Sequence, residues 1–181
     1  MMRVIAGSLG GRRLKAPPGR ITRPTSERVR EAIFSMLGEI AGARVLDLFA
    51  GSGALGIEAL SRGAARVVFV ERDGAAASVL AENLAALGIG APAAELRRID
   101  AAQALRSARA GKETYDLVFI DPPYGQAQEW AQELGALLPA LLGPGARVVL
   151  ESDRRGPLEL EMGVERQRRY GDTSITIHRH P

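Results

Sequence analysis

The sequence predicts an α/β chain built on a mainly parallel sheet with helices on both faces. Three observations carry that expectation. Short apolar runs alternate with helix-spaced patterns from Arg44 to Glu151, as repeated strand–helix units do. The first run, Val45-Leu46-Asp47-Leu48-Phe49, ends in small residues, Ala50-Gly51-Ser52-Gly53-Ala54, which suit a tight strand-to-helix turn. Four acids, Asp47, Glu71, Asp100 and Asp121, fall at the carboxyl ends of the expected strands. Sheets of this kind bind ligands there, where strand order reverses.

In chain order, Arg3-Val4-Ile5-Ala6 and Arg12-Arg13-Leu14-Lys15 flank a glycine-rich turn and predict a short hairpin. Residues 16–24 hold too many prolines and glycines for regular structure and read as an extended loop. Thr25 or Ser26 can cap a helix whose apolar face is Val29, Ile33, Leu37 and Ile40, with Gly42 as its end. Strand 44–49 then leads to a helix near 54–62, and strand 66–71 to a helix near 74–87. A weaker strand at 94–99 leads to a helix from Ala101. Strand 116–120 precedes Asp121-Pro122-Pro123-Tyr124 and a helix near 127–142. Strand 146–151 is followed by a change of character, because 164–169 and 173–178 flank Tyr170-Gly171-Asp172 as an antiparallel hairpin. That makes seven strands, the last antiparallel. Residues 1–24 form a basic extension and 25–181 the main domain.

At 181 residues and 46% hydrophobic, the chain can form one well-cored domain with a modest extension. The absence of cysteine excludes disulfides, thiolate zinc sites and a cysteine nucleophile, and fits a reducing compartment. No apolar run approaches the roughly 20 residues of a membrane span, and no secretory core is evident near the N-terminus, so a cytoplasmic protein is expected. No metal site is expected. His178 and His180 lack ligand spacing and read as solvent-facing. Trp130 and Asn83 read as helix residues that pack or hydrogen-bond locally, and Thr173 and Ser174 as plain strand residues.

Charge is divided unevenly. Residues 1–30 hold eight Arg or Lys against Glu27, a balance of +7; the whole chain carries +3, so the other 151 residues carry −4. A basic arm on a mildly acidic body suggests a polyanionic partner, with a solvated tail as the bland alternative. Arg12, Arg13, Arg20 and Arg23 are the phosphate contacts expected, since neighbouring prolines and glycines hold the backbone open.

Gly51-Ser52-Gly53-Ala54-Leu55-Gly56 is G-x-G-x-x-G, and Glu71 stands 20 residues beyond Gly51, so a dinucleotide site must be weighed. Asp47 argues for S-adenosylmethionine instead, because a carboxylate there suits a cationic methionyl end and repels a pyrophosphate. Asp100 can accept from an adenine amine, cap the helix at Ala101, or do both. Asp121-Pro122-Pro123-Tyr124 supplies the chemistry. The prolines stiffen the turn and donate no N–H. The Asp121 carboxylate and the Pro122 carbonyl can each accept one hydrogen of an exocyclic amine, while Tyr124 stacks on the base. Accepting both hydrogens restores the nitrogen lone pair for attack on an in-line methyl sulfonium at roughly 3–3.5 Å.

Together these residues resemble the class I S-adenosylmethionine-dependent methyltransferases, with their Rossmann-like sheet. Arg3-Val4-Ile5-Ala6-Gly7, Gly11-Arg12-Arg13-Leu14 and above all Arg23-Pro24-Thr25-Ser26-Glu27-Arg28-Val29-Arg30-Glu31-Ala32-Ile33-Phe34 resemble the bacterial 16S ribosomal RNA guanine-N2 methyltransferase family, known as RsmD. The resemblance spans nearly the whole chain and is least sharp over 89–113 and 152–170. It implies Asp47, Gly51 and Gly53 at the methionyl end, Glu71 at the ribose, Asp100 at the adenine, and Asp121 to Tyr124 at the target amine. It places Thr25 and Arg28 near the cofactor mouth and residues 1–30 on RNA. It further implies S-adenosylhomocysteine as product, no metal, and a monomer acting on 16S ribosomal RNA in an assembled or partly assembled small subunit, away from membranes.

Three alternatives stay open at this point. Asp-Pro-Pro-Tyr is shared by adenine-N6, cytosine-N4 and protein glutamine methyltransferases. A dinucleotide oxidoreductase would bind nicotinamide, and a non-catalytic RNA-binding module would leave Asp121 and Glu71 dispensable.

Overall fold

Valine, isoleucine, leucine and phenylalanine runs become strands, and the amphipathic stretches between them cover the two faces they create. The computed structural model describes residues 2–17, 26–122, 127–153 and 158–181. A hairpin of β1 (Met2–Arg3) and β2 (Arg13–Leu14) precedes α1 (Glu27–Leu37). Then come β3 (Arg44–Asp47), α2 (Ala54–Ser61), β4 (Arg66–Val70), α3 (Gly74–Ala86), β5 (Ala94–Arg97) and α4 (Ala101–Ala110). The chain continues with β6 (Tyr115–Ile120), α5 (Ala127–Leu137), β7 (Leu142–Asp153), β8 (Gly163–Tyr170) and β9 (Thr173–Arg179). The seven-stranded sheet runs β5-β4-β3-β6-β7-β9-β8. Pairs from β5 to β7 are parallel, and β9 is antiparallel to both of its neighbours. The chain therefore moves outward from β3 to β5, then returns to the other side of β3 as β6, which puts the reversal of strand order between β3 and β6.

Alternation along the strands divides the core. Val45, Val67, Phe69, Leu117, Phe119, Val149, Ile175 and Ile177 pack with α1, α2 and α3 on one face. Leu46, Val68, Val70, Val118, Ile120, Val148 and Leu150 pack with α4 and α5 on the other. Both faces are covered, which is why the central strands are continuous apolar runs.

Several boundaries differ from those expected. β3 leaves the ladder at Asp47, two residues early, because the chain must already turn toward α2. Ser26 caps α1 through a bond from the Val29 amide (3.3 Å), and the helix ends at Gly38 (φ 67°) rather than Gly42; Ile40 is buried from the loop beyond. α5 stops at Leu137, and a 3-10 turn at Pro139–Leu141 follows. β7 begins at Leu142, but its register against β6 jumps from Tyr115–Leu142 to Leu117–Arg147. Pro144 within that jump has no N–H to give the ladder. His178 is not solvent-facing: it is 3% exposed, and its Nδ1 lies 3.1 Å from the Met162 carbonyl oxygen. His178 lies opposite Val148 on the face that carries α4 and α5, and the segment that reaches Met162 packs over it. Among the described residues, no helix is long and apolar enough to cross a membrane.

The hairpin is fastened to the sheet domain by one buried carboxylate. Glu58 of α2 is fully buried and accepts the amide hydrogens of Ile5 (2.7 Å) and Ala6 (3.1 Å) and the Arg62 Nε–H (2.7 Å). Arg30 of α1 is equally buried; its Nη1 lies 3.8 Å from Glu58 Oε2, and its Nη2 donates to the Arg3 carbonyl (2.8 Å). Arg30 Nε and Nη1 have no hydrogen-bond acceptor among the described residues, so the guanidinium relies on the Glu58 charge. Ser61 adds a bond to the Ala6 carbonyl (2.5 Å) and one from the Leu9 amide (2.9 Å). Gly7 sits so close to the Ser61 carbonyl that a Cβ there would lie 1.9 Å from its oxygen. Val4 and Leu14 complete the contact inside the core.

Removing Glu58 strands a buried cation and two backbone amides at once. We expect Glu58→Ala to lower stability by about 3–5 kcal/mol in urea denaturation and to expose the Ile5 and Ala6 amides to hydrogen exchange. Arg30→Met should cost less, since Glu58 keeps Arg62 and both amides. Equal losses in the two variants would show that the carboxylate does not organise this contact.

Candidate active site

The reversal of strand order between β3 and β6 marks the carboxyl ends of these strands as the place where an open α/β sheet forms its ligand crevice. On one side the chain leaves β3 through a turn held by backbone bonds from Ala50 N–H to the Val70 carbonyl (2.9 Å) and from Gly53 N–H to the Ala50 carbonyl (2.7 Å). Gly51 and Gly53 adopt φ of +56° and +83°, values that side-chain-bearing residues rarely take. Gly53 is also the N-cap of α2, and a Cβ on it would lie 2.1 Å from Leu80 Cδ1. Nothing lies within 4 Å of where a Gly51 Cβ would be, so the turn presents its backbone to open space there. Gly56 serves packing: a Cβ would lie 2.2 Å from the Phe69 ring.

Two carboxylates shape this turn. Asp47 is 3% exposed, and its Oδ2 accepts the Gly56 amide in the first turn of α2 (3.0 Å). Burial pushes its pKa from the ordinary 3.8 up to about 7; the Gly56 bond opposes that rise, and the nearby Glu71 charge adds to it. Glu71, just past β4, is 6% exposed. Its Oε2 accepts the Gly51 amide (2.8 Å) and its Oε1 the Asp73 amide (2.8 Å). One acid therefore ties the glycine turn to the start of α3, and each oxygen keeps acceptor capacity for a further donor. Asp100 follows β5 and caps α4, accepting the Gln103 amide at Oδ1 (2.8 Å).

Across the crevice, Asp121 stands exposed directly after β6, with Pro122 half-buried beside it. Tyr124 lies outside the described residues, as do Thr25, Arg20 and Arg23. Trp130 of α5 stacks edge-on against Phe49, with ring centroids 5.0 Å apart and planes at 82°. Asp47, Gly51, Gly53, Glu71, Asp100 and Asp121 thus all come from strand ends or the turns that follow them.

The basic arm carries less available charge than its composition indicated. Arg30 is buried against Glu58, Arg3 pairs with Glu27 (3.2 Å), and Lys15 pairs with Glu82 (2.7 Å). Arg12, Arg13 and Arg28 are exposed and make no ion pair among the described residues, although Arg12 Nη2 donates to the Ala86 carbonyl (3.0 Å). Asn83, expected to pack or hydrogen-bond locally, is buried, and its bonds reach well beyond its own helix. Its amide accepts from Lys15 N–H (2.8 Å) and donates to the Lys15 carbonyl (3.0 Å) and to the Ser52 carbonyl of the glycine turn (3.0 Å). The arm and the turn share that one side chain. Its only sequence signal is an amide among the alanines and leucines of α3.

The chain matches the family described as Conserved hypothetical protein 95 over residues 2–179. It is 42% identical over 187 residues to YlbH of Bacillus subtilis, named a candidate rRNA methyltransferase, covering 98% of each chain. It is 36% identical over 160 residues to the ribosomal RNA small subunit methyltransferase D of Haemophilus influenzae, covering 87% of this chain and 81% of that one. Among solved structures, a candidate methyltransferase of Escherichia coli, yhhF, superposes with a TM-score of 0.81 at 34% identity over 99% of this chain and 97% of that one. The 16S rRNA N2 methyltransferase RsmC of T. thermophilus, in complex with AdoMet and guanosine, gives 0.70 at 27% identity over 91% of this chain and 44% of that one.

Asp47 yields a test by pH. A carboxyl whose pKa rises on folding stabilises fully below its unfolded value near 4, and that contribution is lost as pH climbs through about 7. His178 acts in the opposite sense: burial lowers its pKa, so its contribution is lost as pH falls. Comparing the wild type with Asp47→Asn cancels the histidine. Between pH 5 and 7, wild-type stability should fall relative to the variant by up to about 1.4 kcal/mol per pH unit. A constant difference across that range would mean that Asp47 ionises normally.

Proposed function

The chain belongs to the Conserved hypothetical protein 95 family, the RsmD family of ribosomal RNA methyltransferases, and from that premise we propose that it methylates the N2 amine of a guanine in 16S ribosomal RNA, with S-adenosylmethionine as donor. The observation that carries this reading is the reversal of strand order between β3 and β6, where such a sheet forms its ligand crevice. A glycine turn tied to Glu71 forms one wall, and Asp121-Pro122 forms the other.

The residues fit the donor. Gly51 leaves room where a side chain would intrude, and Glu71 has acceptor capacity beyond its two amide bonds to receive ribose hydroxyls. Asp47 would favour a cationic methionyl end when ionised, and Asp100 stands at the next strand end for the adenine. Bound there, S-adenosylmethionine supplies an electrophilic methyl group. The chain's own task is to make the base nitrogen a nucleophile. Asp121 and the Pro122 carbonyl accept the two hydrogens of the exocyclic amine, and Tyr124 holds the base by stacking. Asp121, exposed at the crevice, takes the proton that the nitrogen loses or hands it to water. Arg12, Arg13, Arg20 and Arg23 hold phosphates of the same RNA, and Thr25 and Arg28 stand at the donor's mouth. N2 as the position methylated is favoured by the family resemblance and by the likeness to RsmC, whose structure holds guanosine.

Mass mapping of 16S ribosomal RNA from a strain lacking the gene should show one N2-methylguanosine lost and regained on complementation. Unchanged guanine methylation, or loss of a methyladenosine instead, would overturn the base assignment. In vitro, Asp121→Ala should collapse kcat while the S-adenosylmethionine Kd stays within a few-fold. Tyr124→Phe keeps a stacking face and should retain much of the activity that Tyr124→Ala loses; equal damage would point to the hydroxyl rather than the ring.

A further inference from the structure

The −4 balance of the body conceals a local concentration of the opposite sign. Edge strand β8 reads Gly163-Val164-Glu165-Arg166-Gln167-Arg168-Arg169-Tyr170, and all of it but Tyr170 is exposed. Its one acid, Glu165, lies 3.9 Å from Arg179. The side chains of Arg166, Arg168 and Arg169 make no ion pair or hydrogen bond among the described residues.

Register locates these arginines against the crevice. Ile120 pairs with Leu150, Leu150 with Thr176 and Thr176 with Gln167, while Glu151 pairs with Ile175 and Ile175 with Arg168. Because β8 runs parallel to β6, Arg168 stands level with Asp121, three strand spacings away, roughly 14 Å. Arg166 and Arg168 are opposite Ile177 and Ile175, so they belong to the face that carries α1 and the N-terminal hairpin. Arg169, opposite Ser174, reaches over the other side of the edge.

We propose that Arg166, Arg168 and Arg169 on β8 form a second RNA-contact surface, holding backbone phosphates that flank the target nucleotide on the side of the crevice away from the hairpin. The inference rests on the function proposed above and adds an element to it. Pairing takes Arg3, Lys15 and Arg30 out of the arm's available charge, so the arm alone is a weaker anchor than +7 suggests. A charged edge strand also blocks edge-to-edge pairing with another sheet, but that purpose accepts either sign at any level. Here the positive charge is all guanidinium, the group best matched to phosphate, and two of the three arginines, Arg168 and Arg169, lie in the half of the strand nearest Asp121.

The test uses the full chain with Arg166, Arg168 and Arg169 all replaced by Gln, which keeps a polar edge. Binding to 16S ribosomal RNA is measured across a salt series, beside S-adenosylmethionine calorimetry and a urea midpoint. Each lost phosphate contact removes about 0.7 from the slope of log affinity against log salt. The triple variant should therefore lose about 2 in slope and about tenfold or more in RNA affinity, with donor binding unchanged; the triple Lys variant should keep the slope. Arg168→Gln alone, expected to lose about 0.7, serves if the triple variant does not fold. A folded variant with wild-type slope overturns the proposal, and new self-association in sedimentation at unchanged slope assigns β8 to edge protection instead. A wild-type chain that binds no RNA overturns the proposed function and this inference together, whereas a wild type that binds and methylates RNA beside an unaltered variant overturns this inference alone.

Discussion

The Glu58 carboxylate is the contact on which the placement of the hairpin depends. It is fully buried, and four groups from three parts of the chain meet it: the Ile5 and Ala6 amides, Arg62 and Arg30. A buried ion pair adds little to stability over an apolar substitute, yet loss of one partner is costly. Here the pair discharges a further duty, because a hairpin with two-residue strands cannot stand alone. The same helix that carries Glu58 begins at the glycine turn. The element proposed to touch RNA and the turn proposed to hold the donor are therefore fixed to opposite ends of one eight-residue helix.

The crevice shows how an acid can serve structure and chemistry together. Asp47 and Glu71 both bind backbone amides of the turn and the helices behind it, so both hold the cradle in shape before any ligand arrives. Donors and acceptors set in place beforehand do not reorganise during reaction. Asp121 differs, since it is exposed at a strand end where a substrate group can approach. In the function proposed above, the carboxylates that brace the turn would serve donor binding, and Asp121 the activation of the amine.

Charge on this chain has to be counted by location. Composition places the positive charge in the first thirty residues, but burial and ion pairing consume part of it, and the sheet edge supplies another group of cations at the level of the crevice. A polyanion responds to the field at the surface that it meets.

What the sequence determined by itself was local in origin. Short apolar runs and helix-period patterns marked the strands and helices described in the body within about five residues of their observed bounds. The glycines after β3 and the acids at Asp47, Glu71, Asp100 and Asp121 marked the crevice, because strand ends are where such a sheet binds. The misjudgements share a cause. Helix α1 stops at Gly38 and β3 at Asp47 because the chain must turn to reach its next contact. His178 is buried because the segment that reaches Met162 packs over its face of the sheet, a contact that no property of His178 reveals. Arg30 counted as one of the arm's cations, and Asn83 as a local helix residue, because their partners lie 27 to 68 positions away. Glu58 carries no mark in the sequence for the same reason, its amide partners being 52 and 53 positions distant. Hydrophobic periodicity is written in neighbouring residues and survives in the sequence. A buried polar contact exists only once folding brings distant segments together and removes the water that would otherwise satisfy each group separately.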